Sequence, residues 1–181
     1  EVADLEGATV DAVTRITAEA KFIRALSHYH VVRIWALPYG YTSDNSHLGI
    51  PLKVSADQTP QMRATVADVY AQIEQDLLDA EADLPASNGI FANQMAAKAL
   101  LAKVYLEMGD FANAKAKAAE VMNAGTYTLD PVLTSRFADH ANGNLPAEFI
   151  FTLVSTNESS ATDTIVDERG MSFTWNYRSD D

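Results

Sequence analysis

Between positions 35 and 47 the chain gathers Trp35, Tyr39, Tyr41, Asp44, Asn45 and His47 into one short stretch. Flat aromatic faces stack on the C–H surface of a sugar ring, while carboxylates, amides and imidazoles take its hydroxyls. These six residues are therefore the candidate ligand contacts. Trp35 and Tyr39 have a second reading, in which they seal the end of a helix against the next element. No residue set for catalysis is found: there is no cysteine, no His-Glu-x-x-His, no Gly-x-Ser-x-Gly and no phosphate-cradling glycine loop. The histidines, His28, His30, His47 and His140, do not form a metal set, since positions two apart on a helix point to different sides. The run Asp68, Glu74, Asp76, Asp79, Glu81 and Asp83 lacks the Glu-x-x-His spacing of carboxylate metal bundles and reads as a solvated acidic face. No cofactor is expected.

Charge narrows the partners further. Thirteen basic against 25 acidic residues give a net charge of −12, which repels phosphate backbones and anionic lipid surfaces, so nucleic acid is excluded as a partner. Apolar runs are interrupted by Arg24, His28, Arg33 or Lys103, short of the roughly 18 apolar residues a membrane span needs. The first residues, EVADLEGATV, carry neither the basic nor the apolar part of an export signal, which is expected to have been removed or never included.

The elements that must position the candidates are helical, and a single domain over 1–181 is expected. Residues 8–37 form the longest helical candidate, with Val13, Ile16, Ala20, Ile23 and His30 or Ile34 on one stripe. Phe22, Ala25, Tyr29 and Val32 form a second stripe, so the helix should be sandwiched between neighbours. Lys21, Arg24, His28 and Trp35 fall along the remaining face; they could form a ligand-binding strip, but cations on the polar edge of a helix are expected to meet nearby carboxylates. Pro38 and Gly40 end it, and 38–64 reads as an irregular insertion, longer than the usual link between bundled helices. A second helix spans 65–84, opened by Thr65 with Asp68 three positions on and closed by Pro85.

Residues 93–125 read as two antiparallel helices about the Gly109-Asp110 turn, close-packed through Ala97, Leu101, Val104, Ala114, Ala118 and Val121, with Tyr105 and Phe111 filling the gaps. The spacing is that of a tetratricopeptide-type hairpin. Beyond it, 126–181 is irregular. A short strand is expected near 148–154, where Phe149, Phe151 and Leu153 alternate, and Trp175 and Tyr177 follow near the end.

Four stretches together resemble one family. Glu19-Ala-Lys-Phe-Ile-Arg-Ala25 running on through His30-Val-Val-Arg-Ile-Trp35 is similar to the E-A-x-F-L-R-A … L-V-R-x-aromatic helix of the SusD/RagB nutrient-binding outer-membrane lipoproteins of Bacteroidetes. Gly49-Ile-Pro-Leu52 matches their G-V-P-L turn, and Arg63 to Tyr70 with Ile73, Asp76, Leu77 and Leu84-Pro85 resembles their next helix. Ala96 to Leu106, Gly109-Asp-Phe, Ala114 and Gly125-Thr-Tyr-Thr-Leu129 resemble their tetratricopeptide-like pair, with Glu148-Phe-Ile-Phe151 as the strand beyond.

The resemblance implies a mostly α fold, a superhelix of tetratricopeptide-like hairpins with long irregular insertions and a short C-terminal strand region. It also implies a non-catalytic cell-surface protein of polysaccharide utilisation, which binds an oligosaccharide or other nutrient and delivers it to a SusC-type TonB-dependent outer-membrane transporter. The lipidation cysteine and the long C-terminal half of typical members are missing, which implies a short or truncated member, membrane-associated only through a lipid anchor absent from this chain. The alternative is a helical interaction scaffold that docks a transporter subunit without touching nutrient.

Overall fold

The structure, a computed structural model, describes residues 9–56, 59–129 and 147–153. Its elements in chain order are α1 (Val10–Trp35), β1 (Leu48–Pro51), β2 (Arg63–Thr65), α2 (Val66–Asp83), α3 (Gln94–Met108) and α4 (Phe111–Asn123). Each helix packs chiefly on the next, α1 on α2, α2 on α3 and α3 on α4, so the architecture is mostly helical and laid out in series. None of the described helices is long and apolar enough to cross a membrane.

Local chemistry explains where the helices begin and end. Thr9, Thr65, Asn93 and Asp110 each accept a hydrogen bond from the amide three residues on, satisfying a donor that the first turn leaves open. Gly109 takes φ 78°, a left-handed conformation that other residues adopt only with strain, and it ends α3 so that α4 can fold back. The hairpin expected at 93–125 is therefore present.

The core runs through all four helices. Ala18, Phe22, Ala25, Tyr29 and Val32 of α1 face Val66, Val69, Tyr70, Ile73, Leu77 and Ala80 of α2, and Ala97, Leu101, Val104 and Tyr105 continue it into α3. Burying each large apolar side chain contributes about 1.5–3 kcal/mol, and the alanines let the helix backbones approach closely. α4 adds only Ala114 and Val121 as buried residues.

Several expectations change. Of the two stripes on α1, only that of Phe22, Ala25, Tyr29 and Val32 is buried. The other stays open, with Ile16, Ile23 and Ile34 at 37%, 42% and 64% exposure, because α2 is the main helical neighbour of α1 among the described residues. Phe111 does not fill the hairpin: it opens α4 on the solvent side, and Tyr105 alone packs inward. The 38–64 insertion is not wholly irregular, since β1 and β2 pair antiparallel within it, Leu48 opposite Thr65 and Pro51 opposite Arg63. Gly49 permits this approach, for a Cβ there would meet Val69 Cγ2 at 3.0 Å and the Thr65 carbonyl at 3.1 Å. Finally, 147–153 forms a turn and irregular chain without a strand partner among the described residues, and Phe151 packs edge-on against Phe22 at 5.0 Å instead. Trp175, Tyr177 and His140 lie outside the described residues.

The acidic side of α2 also differs from a solvated face. Asp76 is 1% exposed and receives Arg24 through two hydrogen bonds, Nε to Oδ2 at 2.7 Å and Nη2 to Oδ1 at 2.6 Å. Gln72 donates to the same carboxylate at 2.9 Å, and Arg24 Nη1 reaches the Val54 carbonyl at 2.9 Å, tying the insertion to the pair. Lys21 meets Asp79 at 2.7 Å, Tyr105 donates to Glu74 at 2.9 Å, and Lys117 meets Glu81 at 2.7 Å, so the acidic residues fasten α2 to α1, α3 and α4. Lys21 and Arg24 thus meet carboxylates as expected.

Removing one partner of a buried ion pair leaves the other charge unpaired. Arg24→Ala strands a carboxylate that is almost fully buried and should cost about 3 kcal/mol in urea unfolding. Asp76→Asn leaves a guanidinium that is 30% exposed and can hydrate, and should cost less, about 1–2 kcal/mol. Equal losses would show that burial of the carboxylate is not what sets the cost.

His28 supplies a pH dependence. It is 8% exposed, and its Nδ1 has no hydrogen-bond partner among the described residues. Burial lowers its pKa below the usual 6.5, with Asp76 of α2 opposing and Arg24 of α1 adding to the shift. A base with a depressed folded pKa contributes stability that is present above the unfolded value and lost as pH falls through the folded one. Melting temperature should therefore drop between about pH 7 and about pH 5, and His28→Leu should flatten that slope.

Candidate functional site

The stretch that follows α1 is an ordered loop rather than a slack connection. Ala36 leaves the helix in extended conformation while its amide still donates to the Val32 carbonyl. Tyr41 donates its amide to the Pro38 carbonyl at 3.1 Å and Asn45 to that of Thr42 at 3.2 Å, giving two successive turns. The loop then lands on the start of α2: the Val66 amide donates to the His47 carbonyl at 2.9 Å and the Ala67 amide to that of Asn45 at 3.0 Å. Open amides of a helix N-terminus are satisfied by the loop itself.

The six candidates divide by what their polar atoms do. Asn45, 7% exposed and at φ 55°, accepts the Gly40 amide on Oδ1 at 2.6 Å and so pins the two turns together. His47 bonds Thr42 Oγ1 through Nδ1 at 2.9 Å and the Leu37 carbonyl through Nε2 at 3.2 Å. A carbonyl only accepts, so Nε2 carries a proton. Tyr41 stands edge-on to that imidazole at 5.5 Å and is 63% exposed. Asp44 is exposed, and hydrogen bonds from Ser46 and then Thr42 hold its carboxyl below the usual range. Trp35 is 73% exposed at the end of α1, and Tyr39 is half-buried with its ring edge-on to Tyr70 at 4.9 Å. Trp35, Tyr41 and Asp44 thus face solvent, while Asn45 and His47 hold the loop's shape.

Beneath the loop lies a polar cluster that sequence reasoning did not assemble. Glu107 of α3 accepts the Tyr29 hydroxyl on Oε1 at 3.0 Å and the Tyr70 hydroxyl on Oε2 at 3.0 Å. Arg33 Nε pairs with Oε1 at 2.7 Å, and its guanidinium lies 5.0 Å from the centroid of the Tyr29 ring. Burial, together with the bond to Glu107, pushes the Tyr29 hydroxyl up to about 12, and burial raises that of Tyr70 as well. Arg33, Tyr39, Tyr70 and Glu107 line a cavity of about 220 Å³ walled by Pro38 and Leu37. The Tyr29–Arg33 spacing of four was visible in the sequence; that Glu107, on another helix, completes it was not.

A second, larger cavity of about 620 Å³ is lined mainly by Ile16, Ile23, Ile90, Phe91 and Phe151. Its walls are apolar and its charged rim is internally paired, Glu19 taking Arg15 at 2.7 Å and Asn88 at 2.8 Å.

A family described as starch-binding and associating with the outer membrane matches residues 3–106, more than half of the chain. Among solved structures, a SusD superfamily protein from Bacteroides thetaiotaomicron is similar at 30% identity and a TM-score of 0.72, covering 87% of this chain and 35% of its own. A SusD superfamily protein from Bacteroides vulgatus is 25% identical with a TM-score of 0.71, over 85% of this chain and 36% of its own. A laminarin-binding SusD-like protein is 28% identical with a TM-score of 0.69, over 88% of this chain and 34% of its own. The chain spans about a third of the length of these solved relatives. No curated protein sequence matches it. From the motif order in α1, β1, α2 and the α3–α4 hairpin, from the helical architecture and from the family match over its first 106 residues, this chain belongs to the SusD-like family.

Proposed function

We propose that this chain is a non-catalytic glycan-binding module of the outer membrane, which delivers an oligosaccharide to a SusC-type TonB-dependent transporter at the cell surface. The observation that carries this reading is the loop of residues 36–47: internal hydrogen bonds hold it in one shape, and it presents Tyr41 and Asp44 to solvent next to the exposed Trp35 at the end of α1. Rings held in place before binding lose little entropy when a sugar stacks on them. The family's description as starch-binding and the laminarin-binding neighbour support a glycan as the ligand class. In the longer precursor, a lipid anchor would hold the module at the membrane.

A scaffold role is the second reading, and the apolar groove formed by Ile16, Ile23, Ile90, Phe91 and Phe151 favours it. Co-purification with a transporter in the absence of glycan affinity would be its signature.

Isothermal titration with laminari- and malto-oligosaccharides tests the main reading. Trp35→Ala and Tyr41→Ala should each weaken binding about tenfold, equivalent to about 1.4 kcal/mol. An unchanged affinity in the double variant would remove the loop from the site.

A further inference from the structure

The cavity under the loop is built for more than support. Glu107 spends both oxygens on Tyr29, Tyr70 and Arg33, so it fixes the Arg33 guanidinium by its Nε edge while the Tyr29 ring supports one face. The opposite edge, Nη1 and Nη2, has no hydrogen-bond partner among the described residues, and the Arg33 side chain is 46% exposed. Along that edge two N–H donors, one from each Nη, point outward in a fixed plane. Tyr39 and Pro38 line the same cavity and supply apolar surface beside these donors.

We infer that this cavity is a subsite for a single neutral sugar ring, with a pair of its hydroxyls accepting from the Nη edge of Arg33 and its C–H face against Tyr39. The inference rests on the glycan-binding reading and names the part of the ligand that enters here. Size limits the occupant to one ring: about 220 Å³ lies below the roughly 300–1,000 Å³ of pockets that enclose drug-sized ligands. Charge selects a neutral ring over a uronate. Glu107 cancels the Arg33 charge at 2.7 Å, and the chain as a whole carries −12, so an added carboxylate gains no net attraction. Leu37, Pro38 and Tyr39 of the loop line the cavity, so with one ring in it the next units of the oligosaccharide would run toward Trp35 and Tyr41.

Titration of the ¹⁵N-labelled 181-residue chain with glucose, galactose, mannose, xylose and glucuronate, followed by NMR, tests this. The Arg33 Nε–H and Trp35 indole N–H resonances report the cavity and the loop separately. At least one neutral sugar should shift the Arg33 signal, and glucuronate should shift it less. Arg33→Lys keeps the pairing charge but loses the planar donor edge, and should weaken binding of that sugar, read on a Tyr39 resonance, at least about tenfold. Ala36→Leu fills the cavity without touching the ion pair and should abolish the Arg33 shift. Movement of Trp35 with Arg33 silent would overturn the subsite and leave the loop as the binding surface. A larger Arg33 response to glucuronate would overturn the neutral ligand class. If neither resonance moves with these sugars or with laminari- and malto-oligosaccharides, the subsite and the glycan reading both fall.

Discussion

A carboxylate that is almost completely removed from water governs this structure. Asp76 is tolerable inside the α1–α2 interface only because Arg24 brackets it with two hydrogen bonds and Gln72 adds a third. That requirement sets the register of the two helices: sliding one past the other by a residue would part the pair and leave a buried charge alone. Because Arg24 also holds the Val54 carbonyl, the same guanidinium anchors the insertion between the helices. The apolar core supplies most of the favourable free energy, but hydrophobic contact is non-directional, and the ion pair is what selects one arrangement among many.

The remaining acidic residues of α2 extend this logic outward. Asp79 takes Lys21 from α1, Glu74 takes the Tyr105 hydroxyl from α3, and Glu81 takes Lys117 from α4. Lys98 of α3 lies between Glu81 and Glu120 and lowers the pKa of the latter. These part-buried pairs share one helix, so α2 serves as a common rail for its neighbours. The loop after α1 rests on the first turn of that rail, where its Asn45 and His47 carbonyls replace the partners that helix amides lack. Order in the loop is thus inherited from order in the helices. A binding surface can be made from loop residues without the entropic cost that a slack loop would carry.

The two cavities show how the same stack creates surfaces of opposite character. At the C-terminal end of α1, three helices and the loop converge, and Tyr29 and Arg33 of α1 and Tyr70 of α2 meet Glu107 of α3. Toward the N-terminal end, α2 is the main helix alongside α1 among the described residues, and the second apolar stripe of α1 forms a wall with Phe91 and Phe151. One cavity gathers hydrogen-bonding groups and the other gathers apolar surface.

The helices were legible in the chain because their determinants are local. Periodic apolar residues, Thr65 and Asp110 as caps, and Gly109 at its left-handed turn act within a few residues, so α2 and the α3–α4 hairpin emerged nearly at their observed bounds. The aromatic loop residues were also visible by type. Which of two equally apolar stripes on α1 would be buried was not, because that depends on a neighbour rather than on the helix. Nor was the fate of Phe151, which lies in irregular chain and packs its ring against Phe22 although the alternation around it has the period of a strand. Pairings such as Arg24 with Asp76, or Glu107 with Tyr29, Tyr70 and Arg33, join residues 37 to 78 positions apart. Sequence by itself determined the helices and the kinds of side chain each could offer. Only tertiary packing decided which carboxylate would be buried and which rings would face water, because burial and long-range hydrogen bonds are properties of neighbouring elements that no single segment encodes.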